Sequence, residues 1–389
     1  MTILAWILTI VAGWPVLIVA VQCLAGCATR PARLADLDPT PPPPFAVIIP
    51  AHDEAAGIAA TIALASAQLR SQDRLIVIAD NCRDDTARIA TGAGASVGIR
   101  HSDSHVGKAY ALDFGRALLR ADPPAAVVLL DADCAPAPGA LQALAAAASR
   151  HDAAVQGRYL LALGDEATPH VRISTFAFLI RNAVRQRGLQ RLAGLALLQG
   201  SGMAMPWRLF DTAPLASASL VEDMALGLDL ALAGADVRFE DSAHFNGMVA
   251  SERSTIPQRT RWEQGQLATA GAYIPRLLLA GLRRPALFAL AADLSVPPLA
   301  LLAMLELSAV AVVACVAVAA GNTAPLVALA LLQAGFVTIL YAVWSVHGRV
   351  ILPLRLLLRL PLYIVWKHLI YVRFVRGRER RWIRTSRLP

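Results

Sequence analysis

The chain has 389 residues, 56 % of them hydrophobic and 16 % charged, with a mean hydropathy of +0.52 and a formal net charge of +8. That is too apolar for a purely water-soluble protein and long enough for two domains, so a membrane part is expected beside a folded one. The basic excess does not mark nucleic-acid binding, because Arg is concentrated near the carboxy terminus beside apolar runs and no base-reading motif accompanies it, while five scattered cysteines without Cys-x-x-Cys spacing argue against a disulfide framework and a zinc site.

Ile3 to Val21 carries no charge and is long enough for one membrane-spanning helix, which needs about 20 residues. Arg30 and Arg33 follow it, which places the amino terminus outside and the next domain in the cytoplasm. A cleaved leader, or a lipoprotein signal at Leu24-Ala25-Gly26-Cys27, would need a basic amino-terminal flank that Met1-Thr2-Ile3 lacks. We assign 1–26 to the span. Residues 27–44, with Pro39 and Pro41 to Pro44, read as a stiff extended spacer.

From Phe45 the pattern alternates strand and helix. Strands are expected over Phe45 to Pro50, over Arg74 to Asp80 and over the apolar run that ends at Asp131. Helices are expected over Ala55 to Leu69, Asp84 to Thr91, Lys108 to Arg120 and Gly139 to Ser149. Such alternation implies a mainly parallel sheet covered on both faces.

The expected strands end in polar residues, the pattern of a ligand crevice in an open α/β sheet. The first ends in Pro50-Ala51-His52-Asp53-Glu54, the second in Asp80-Asn81-Cys82-Arg83-Asp84-Asp85 and the third in Asp131-Ala132-Asp133. Two carboxylates one residue apart could bridge a divalent cation to a diphosphate, although an acidic turn has the same composition. Lys108 at a helix start could balance phosphate charge, and Gln199-Gly200-Ser201-Gly202 is a turn through which backbone can approach a ligand. Glu222 and Asp223 open a helix, either as partners of its dipole or, for Asp223, as a general base. Gln258-Arg259-Thr260-Arg261-Trp262 joins guanidinium groups suited to phosphate with an indole suited to stacking or packing. A dehydrogenase would show Gly-x-Gly-x-x-Gly directly after the first strand, and here Pro-Ala-His-Asp-Glu stands there instead. A phosphate-gripping P-loop is also absent.

Taken in order, Asp80, Gly107-Lys108, Asp131-Ala132-Asp133, Gly200-Ser201-Gly202, Glu222-Asp223 and Gln258-Arg259-Thr260-Arg261-Trp262 resemble the cytoplasmic domain of membrane-bound family-2 glycosyltransferases, the group of cellulose, hyaluronan and poly-N-acetylglucosamine synthases. The resemblance implies a GT-A, Rossmann-like domain over 45–270. It implies donor binding around Pro50, Ala51, His52, Glu54, Asp80, Lys108, Asp131 and Ala132, with Mg²⁺ or Mn²⁺ held by Asp131 and Asp133. Asp223 would be the base of an inverting transfer. Gly200, Ser201, Gly202, Glu222, Gln258, Arg261 and Trp262 would serve the diphosphate and the acceptor. Asp53 stands where Asn is more usual, and Asn81-Cys82 where Asp-Gly is, so the nucleotide's identity follows less directly than the reaction.

After this domain, 271–298 carries Arg276, Arg283 and Arg284 among leucines and reads as an interfacial helix broken at Pro297-Pro298. Leu299 to Ala320 and Ala324 to Val346 read as a spanning hairpin over 299–347, with Glu306 inside the first span. Residues 348–389 read as a basic interfacial helix and a cytoplasmic tail, because each arginine or lysine costs about 2.5–3.5 kcal/mol near the bilayer centre. The expectation is therefore a three-span inner-membrane enzyme moving sugar from a nucleotide sugar, UDP-linked by expectation, to a polysaccharide or lipid-linked acceptor. Three spans are few to wall a polymer channel, which favours single-sugar transfer or a channel completed by a homo-oligomer or export partner. A catalytically silent nucleotide-binding scaffold of a secretion complex is the alternative.

Overall fold

The computed structural model describes residues 1–29, 41–164, 167–215, 221–247, 252–365 and 367, with 252–260 described as backbone only. Arg30, Arg33, most of the proline spacer and the terminal Arg376 to Arg387 cluster lie outside the described residues. The chain divides into two compact units, and the domain expected as continuous over 45–270 is shared between them. One unit runs through Ala162 and resumes at Gly194; the other takes in Met1–Thr29, Leu163–Ala193 and the helices from 252 onward.

The first unit carries a single sheet. Its strands are β1 (Phe45–Ala51), β2 (Arg74–Asp80), β3 (Ser96–Arg100), β4 (Ala126–Leu129), β5 (Cys134–Pro136), β6 (Ala154–Leu161), β7 (Met203–Pro206) and β8 (Val237–Gly247), in the order β3-β2-β1-β4-β7-β6-β8-β5. The pairs β1–β2, β1–β4, β2–β3 and β6–β8 are parallel. β7 runs antiparallel to both β4 and β6, and β5 antiparallel to β8. The expectation of a mainly parallel sheet is corrected to a mixed one. Helical crossovers force β1 to β4 to be parallel, but the chain then re-enters beside β4 in the opposite direction.

Apolar runs explain the strand positions: Phe45, Ile48, Ile49, Ile78, Leu129 and Leu130 are fully enclosed, with Leu141, Phe210 and Phe245 packed among them. The helix Lys108–Leu119 lies on β1, β2 and β3, and Ala140–His151 on β4, β6, β7 and β8. Two helices start later than expected, at Ile58 and Thr86, because Asp53, Asp84 and their neighbours remain in turns. β4 ends at Leu129; Leu130 still donates to Ile48 O at 3.1 Å, and Cys134 N closes a turn on Asp131 O at 3.1 Å. The two aspartates thus stand between β4 and β5, on the turn rather than on the strand.

The second unit is helical. By length and composition, Thr2–Ala28, Leu299–Ala319 and Ala324–Gly348 are apolar enough to cross a membrane. The first buries a stripe of Ala5, Thr9, Val16, Val19, Ala20, Gln22, Cys23 and Gly26 and leaves Ile3, Ile7, Ile10, Val11 and Leu24 exposed. That division suits a helix packed on one side and facing lipid on the other. A π-helical turn, Ile180–Val184, joins Pro169–Leu179 to Arg185–Ala193. There Arg185 bonds to Gln22 Oε1 at 2.7 Å and to Asp293 Oδ1 at 2.7 Å, while Gln22 Nε2 donates to Asp293 Oδ1 at 2.9 Å. Burial of all three is tolerable only because each has a partner. Glu306 is likewise enclosed and accepts a bond from Gln333 Nε2. The single helix expected over 271–298 is corrected to the end of a long helix, Glu252–Gly281, and a separate helix, Ala286–Leu294, parted at Arg283-Arg284-Pro285. Of the expected helix over 348–389, the described part begins with the short helix Leu354–Leu357.

Candidate active site

The site grows from Lys108, the first residue of its helix, whose preceding Gly107 adopts φ +122°. Its ammonium donates to Asp131 Oδ1 and to the carbonyl of Gly200. Gly200 has φ +98°, and a Cβ placed there would stand 2.9 Å from Asp223 Oδ2 and 3.9 Å from Lys108 Nζ. Glycine is required on both counts, since a side chain would strain the backbone and displace the Asp223 carboxylate. Asp223 and Glu222 form the first turn of the helix Glu222–Leu232. Segments separated by over a hundred residues therefore meet at one lysine.

The electrostatics follow from three acids around one cation. Burial disfavours charge on Lys108, yet Asp131, Glu222 and Asp223 outweigh it and hold its ammonium well above the usual lysine range. Burial pushes Glu222 up to about 7, helped by the neighbouring Asp223 and opposed by Lys108. Burial also raises Asp223, with Lys108 pulling the other way. A carboxylate whose proton affinity is raised above the ordinary range is the stronger proton acceptor, which suits general-base work.

The turn that carries Asp131 and Asp133 is held from behind. Thr61 Oγ1 donates to Ala132 O at 2.7 Å, and Asp131 N donates to Ser201 Oγ at 3.0 Å. Gln156, fully buried on β6, donates through Nε2 to Ser201 O at 2.9 Å and accepts from Gln199 N through Oε1 at 2.7 Å. Neither Thr61 nor Gln156 stands out in the sequence. The one signal for Gln156 was a polar residue directly after the apolar run Ala153-Ala154-Val155.

A second acidic group occupies the ends of β1 and β2. Asp53, Cys82 and Asp84 bring potential ligand atoms within 4.8 Å of one another. Both carboxylates also accept main-chain bonds: Asp53 Oδ1 from Arg83 N at 2.6 Å, and Asp84 from Ala55 N at 3.1 Å and Thr86 N at 3.0 Å. The Asp53 amide donates to Cys82 Sγ at 3.4 Å, and burial keeps that thiol protonated. This is turn chemistry, consistent with positive φ at Asp53 and Asn81, which Asp and Asn tolerate. Asp80 is buried and paired with Arg100, which also donates to His105 O at 2.6 Å and lies over the Tyr110 ring. Arg100 is a partner that the sequence reading missed. His52 Nδ1 lies 2.7 Å from Asp80 O, and Glu54 N donates to Thr86 Oγ1 at 2.7 Å. Pro50 and Ala51 complete β1 beneath them.

Arg261 and Trp262 are placed in the other unit, on the helix Glu252–Gly281, where Trp262 packs against Phe178 with ring centres 5.9 Å apart. The neighbouring Glu263 pairs with Lys367 Nζ at 2.8 Å. Gln258 is on the same helix, and its side chain lies outside the described residues.

The family model "Glycosyltransferase like family 2" matches residues 42–265, and the chain belongs to that family. It is a glycosyltransferase of the family-2 type with a GT-A-like mixed sheet. Among solved structures, the mannosyltransferase PcManGT from Pyrobaculum calidifontis, in complex with GDP-Man and Mn²⁺, is similar over 93 % of this chain and 98 % of its own, with 19 % identity and a TM-score of 0.55. Glucosyl-3-phosphoglycerate synthase from Mycobacterium tuberculosis, in complex with Mn²⁺, UDP and glucosyl-3-phosphoglycerate, is similar over 53 % of this chain and 71 % of its own, with 22 % identity and a TM-score of 0.37. No curated protein matches.

Proposed function

We propose that the chain is an inverting, membrane-bound glycosyltransferase that moves one sugar at a time from a nucleotide sugar to a lipid-linked acceptor. The observation that carries this is the meeting of Lys108, Asp131, Glu222 and Asp223 around Gly200. Asp223 takes the proton from an acceptor hydroxyl, whose oxygen attacks the anomeric carbon from the face opposite the departing nucleoside diphosphate. One displacement inverts the configuration there. Asp131 and Asp133 supply hard oxygen ligands, the donor set that Mg²⁺ or Mn²⁺ prefers, on a turn braced by Thr61 and Ser201. A cation bound there would offset the charge of the leaving diphosphate. Lys108 keeps Asp131 oriented and adds positive charge beside it.

Pro50, Ala51, His52, Glu54, Asp80 and Ala132 belong in this reading to the donor side, and Gly200, Ser201, Gly202 and Glu222 to the acceptor side. For Gln258, Arg261 and Trp262 the reading rests on their motif in the sequence. A lipid-linked acceptor is supported by the three long apolar helices among the described residues, too few to enclose a polymer channel. Membrane placement with the site on the cytoplasmic side is supported by the same helices and by the basic flanks in the sequence.

The test is incubation of membranes holding the protein with radiolabelled uridine- and guanosine-linked sugars and Mn²⁺, followed by separation of lipid-soluble from high-molecular-weight product. Lipid-soluble product from one donor is expected. Polymer formed without a lipid-soluble stage would refute the acceptor assignment, and nucleotide binding without any transfer would leave only a scaffold.

A further inference from the structure

The turn that joins the two halves of the site has no strand of its own. β7 begins at Met203, so Gln199, Gly200, Ser201 and Gly202 precede its ladder. Gly202 does keep two sheet-like bonds, donating to Leu129 O at 3.0 Å and accepting from Gly157 N at 2.7 Å. Two further main-chain groups of the turn, Gln199 N and Ser201 O, go to one side chain. Gln156 Oε1 accepts from Gln199 N at 2.7 Å, and its Nε2 donates to Ser201 O at 2.9 Å, to Gly157 O at 2.8 Å and more weakly to Gly202 O at 3.3 Å. Gln156 is 0 % exposed and opposite Met203 in the β6–β7 register, so its carboxamide extends the pairing of β6 with β7 past the point where β7 stops.

What hangs from this clamp is the active constellation. Ser201, also fully buried, receives the Asp131 amide on its hydroxyl; Gly200 gives its carbonyl to Lys108 and its bare α-carbon to Asp223. A small shift of the turn therefore moves the Asp131 carboxylate, the Lys108 ammonium and the space for Asp223 together. Substrate contact would be made by those residues, and Gln156 lies behind them in the sheet.

We propose that Gln156 is a positioning residue for glycosyl transfer, locking the Gln199–Gly202 turn so that the Lys108–Asp131 pair and Asp223 keep one mutual geometry. The inference rests on the transferase reading. Its consequence is specific: loosening the turn slows the chemical step more than it weakens donor binding.

The experiment uses the full-length protein in detergent, wild type against Gln156→Leu, with turnover expressed per nucleotide-binding molecule. We expect kcat to fall at least about tenfold while KM for the donor stays within about threefold. In hydrogen exchange, segments carrying Gln199 and Asp131 should exchange at least about tenfold faster, with β1 and β2 unchanged. Should Gln156→Leu fail to fold, Gln156→Asn, with the same polar group one methylene short, decides the matter by the same readouts. Wild-type kcat in the folded variant, exchange increased across the whole sheet, or a loss confined to KM would each overturn the proposal. Failure of the transferase reading looks different, because the wild type itself would then transfer no sugar.

Discussion

Two groups of acids stand at the ends of neighbouring strands, and they differ in what neutralises them. At β1 and β2, Asp53 and Asp84 spend their oxygens on the amides of Arg83, Ala55 and Thr86. Beyond β4, Asp131, Glu222 and Asp223 share a single lysine. Main-chain donors cannot leave when a ligand arrives, whereas a lysine at the end of a flexible stem can turn toward a phosphate. Proximity of carboxylates is the weaker clue to chemistry. The stronger one is charge held mainly by a side chain: Asp223 also accepts from the Met224 amide, but Lys108 is the larger influence on it.

The largest expected effect that separates the two groups is at Asp223. Asp223→Asn keeps the shape against Gly200 but cannot accept a proton, so transfer should fall by roughly 10³-fold or more. UDP or GDP binding, followed by calorimetry, should change little. Equal loss of binding and transfer would make Asp223 a structural residue like Asp84. Lys108→Met should come next, lowering turnover roughly 10²-fold. Lys108 pulls the pKa values of Glu222 and Asp223 down, so its loss raises both, and the base is then free only at higher pH. The ascending limb of the kcat–pH profile should move to higher pH. An unmoved limb would remove Lys108 from the electrostatics of the base.

Much of this contrast was legible in the sequence, and the exceptions have physical causes. β1 and β2 are continuous apolar runs ending in polar residues, and the structure places them within one residue of expectation. The acids of both groups were legible too, because carboxylates collect at strand ends in this class of sheet. Their different satisfaction was not, since Arg83 and Ala55 act through backbone amides that any residue would supply. β8 escaped because Val237–Gly247 mixes charged and apolar residues without alternation, and its pairing with β6 shifts register at Gly157 and Arg158. β7 has only four residues and follows two glycines with positive φ. The mixed sheet therefore could not be read from local pattern. The long apolar helices were plain from their scarcity of charge, whereas the break at Arg283-Arg284-Pro285 was hidden within a leucine-rich stretch.

Glu222 gives a smaller, thermodynamic test. Its folded pKa of about 7 lies above the ordinary 4.5, so the folded state binds its proton more tightly than the unfolded chain does. The ionised form is the disfavoured one, and the resulting cost appears as pH rises from about 4.5 and is complete above about 7. Glu222→Gln should remove it, stabilising the protein on the order of 1–2 kcal/mol at pH 8 after allowance for partial exposure, and hardly at all near pH 4. Thermal unfolding at the two pH values checks this. A gain of equal size at both would mean that packing, and not charge, is responsible.

The smallest effect on turnover is expected at Asp84, and it is the one that presses hardest on the comparison. Asp84→Asn keeps an acceptor oxygen for only one of the two amides, Thr86 N on Oδ1 or Ala55 N on Oδ2, so a turn role predicts a stability loss of about 1–2 kcal/mol. It also predicts unchanged turnover per folded molecule and an unchanged Mn²⁺ requirement. A metal-ligand role predicts the opposite, because an amide oxygen is a poorer ligand than a carboxylate and the group with Asp53 and Cys82 would lose one of its two anionic oxygens. Titrating Mn²⁺ against transfer for Asp84→Asn and Asp131→Asn side by side makes the contrast direct. A shift of about tenfold or more in the Mn²⁺ needed for half-maximal rate should belong to Asp131→Asn alone. Were the shift to belong to Asp84→Asn, amide-bonded carboxylates would have to open on cation binding, and the turn at the end of β2 would be the responsive part of the site.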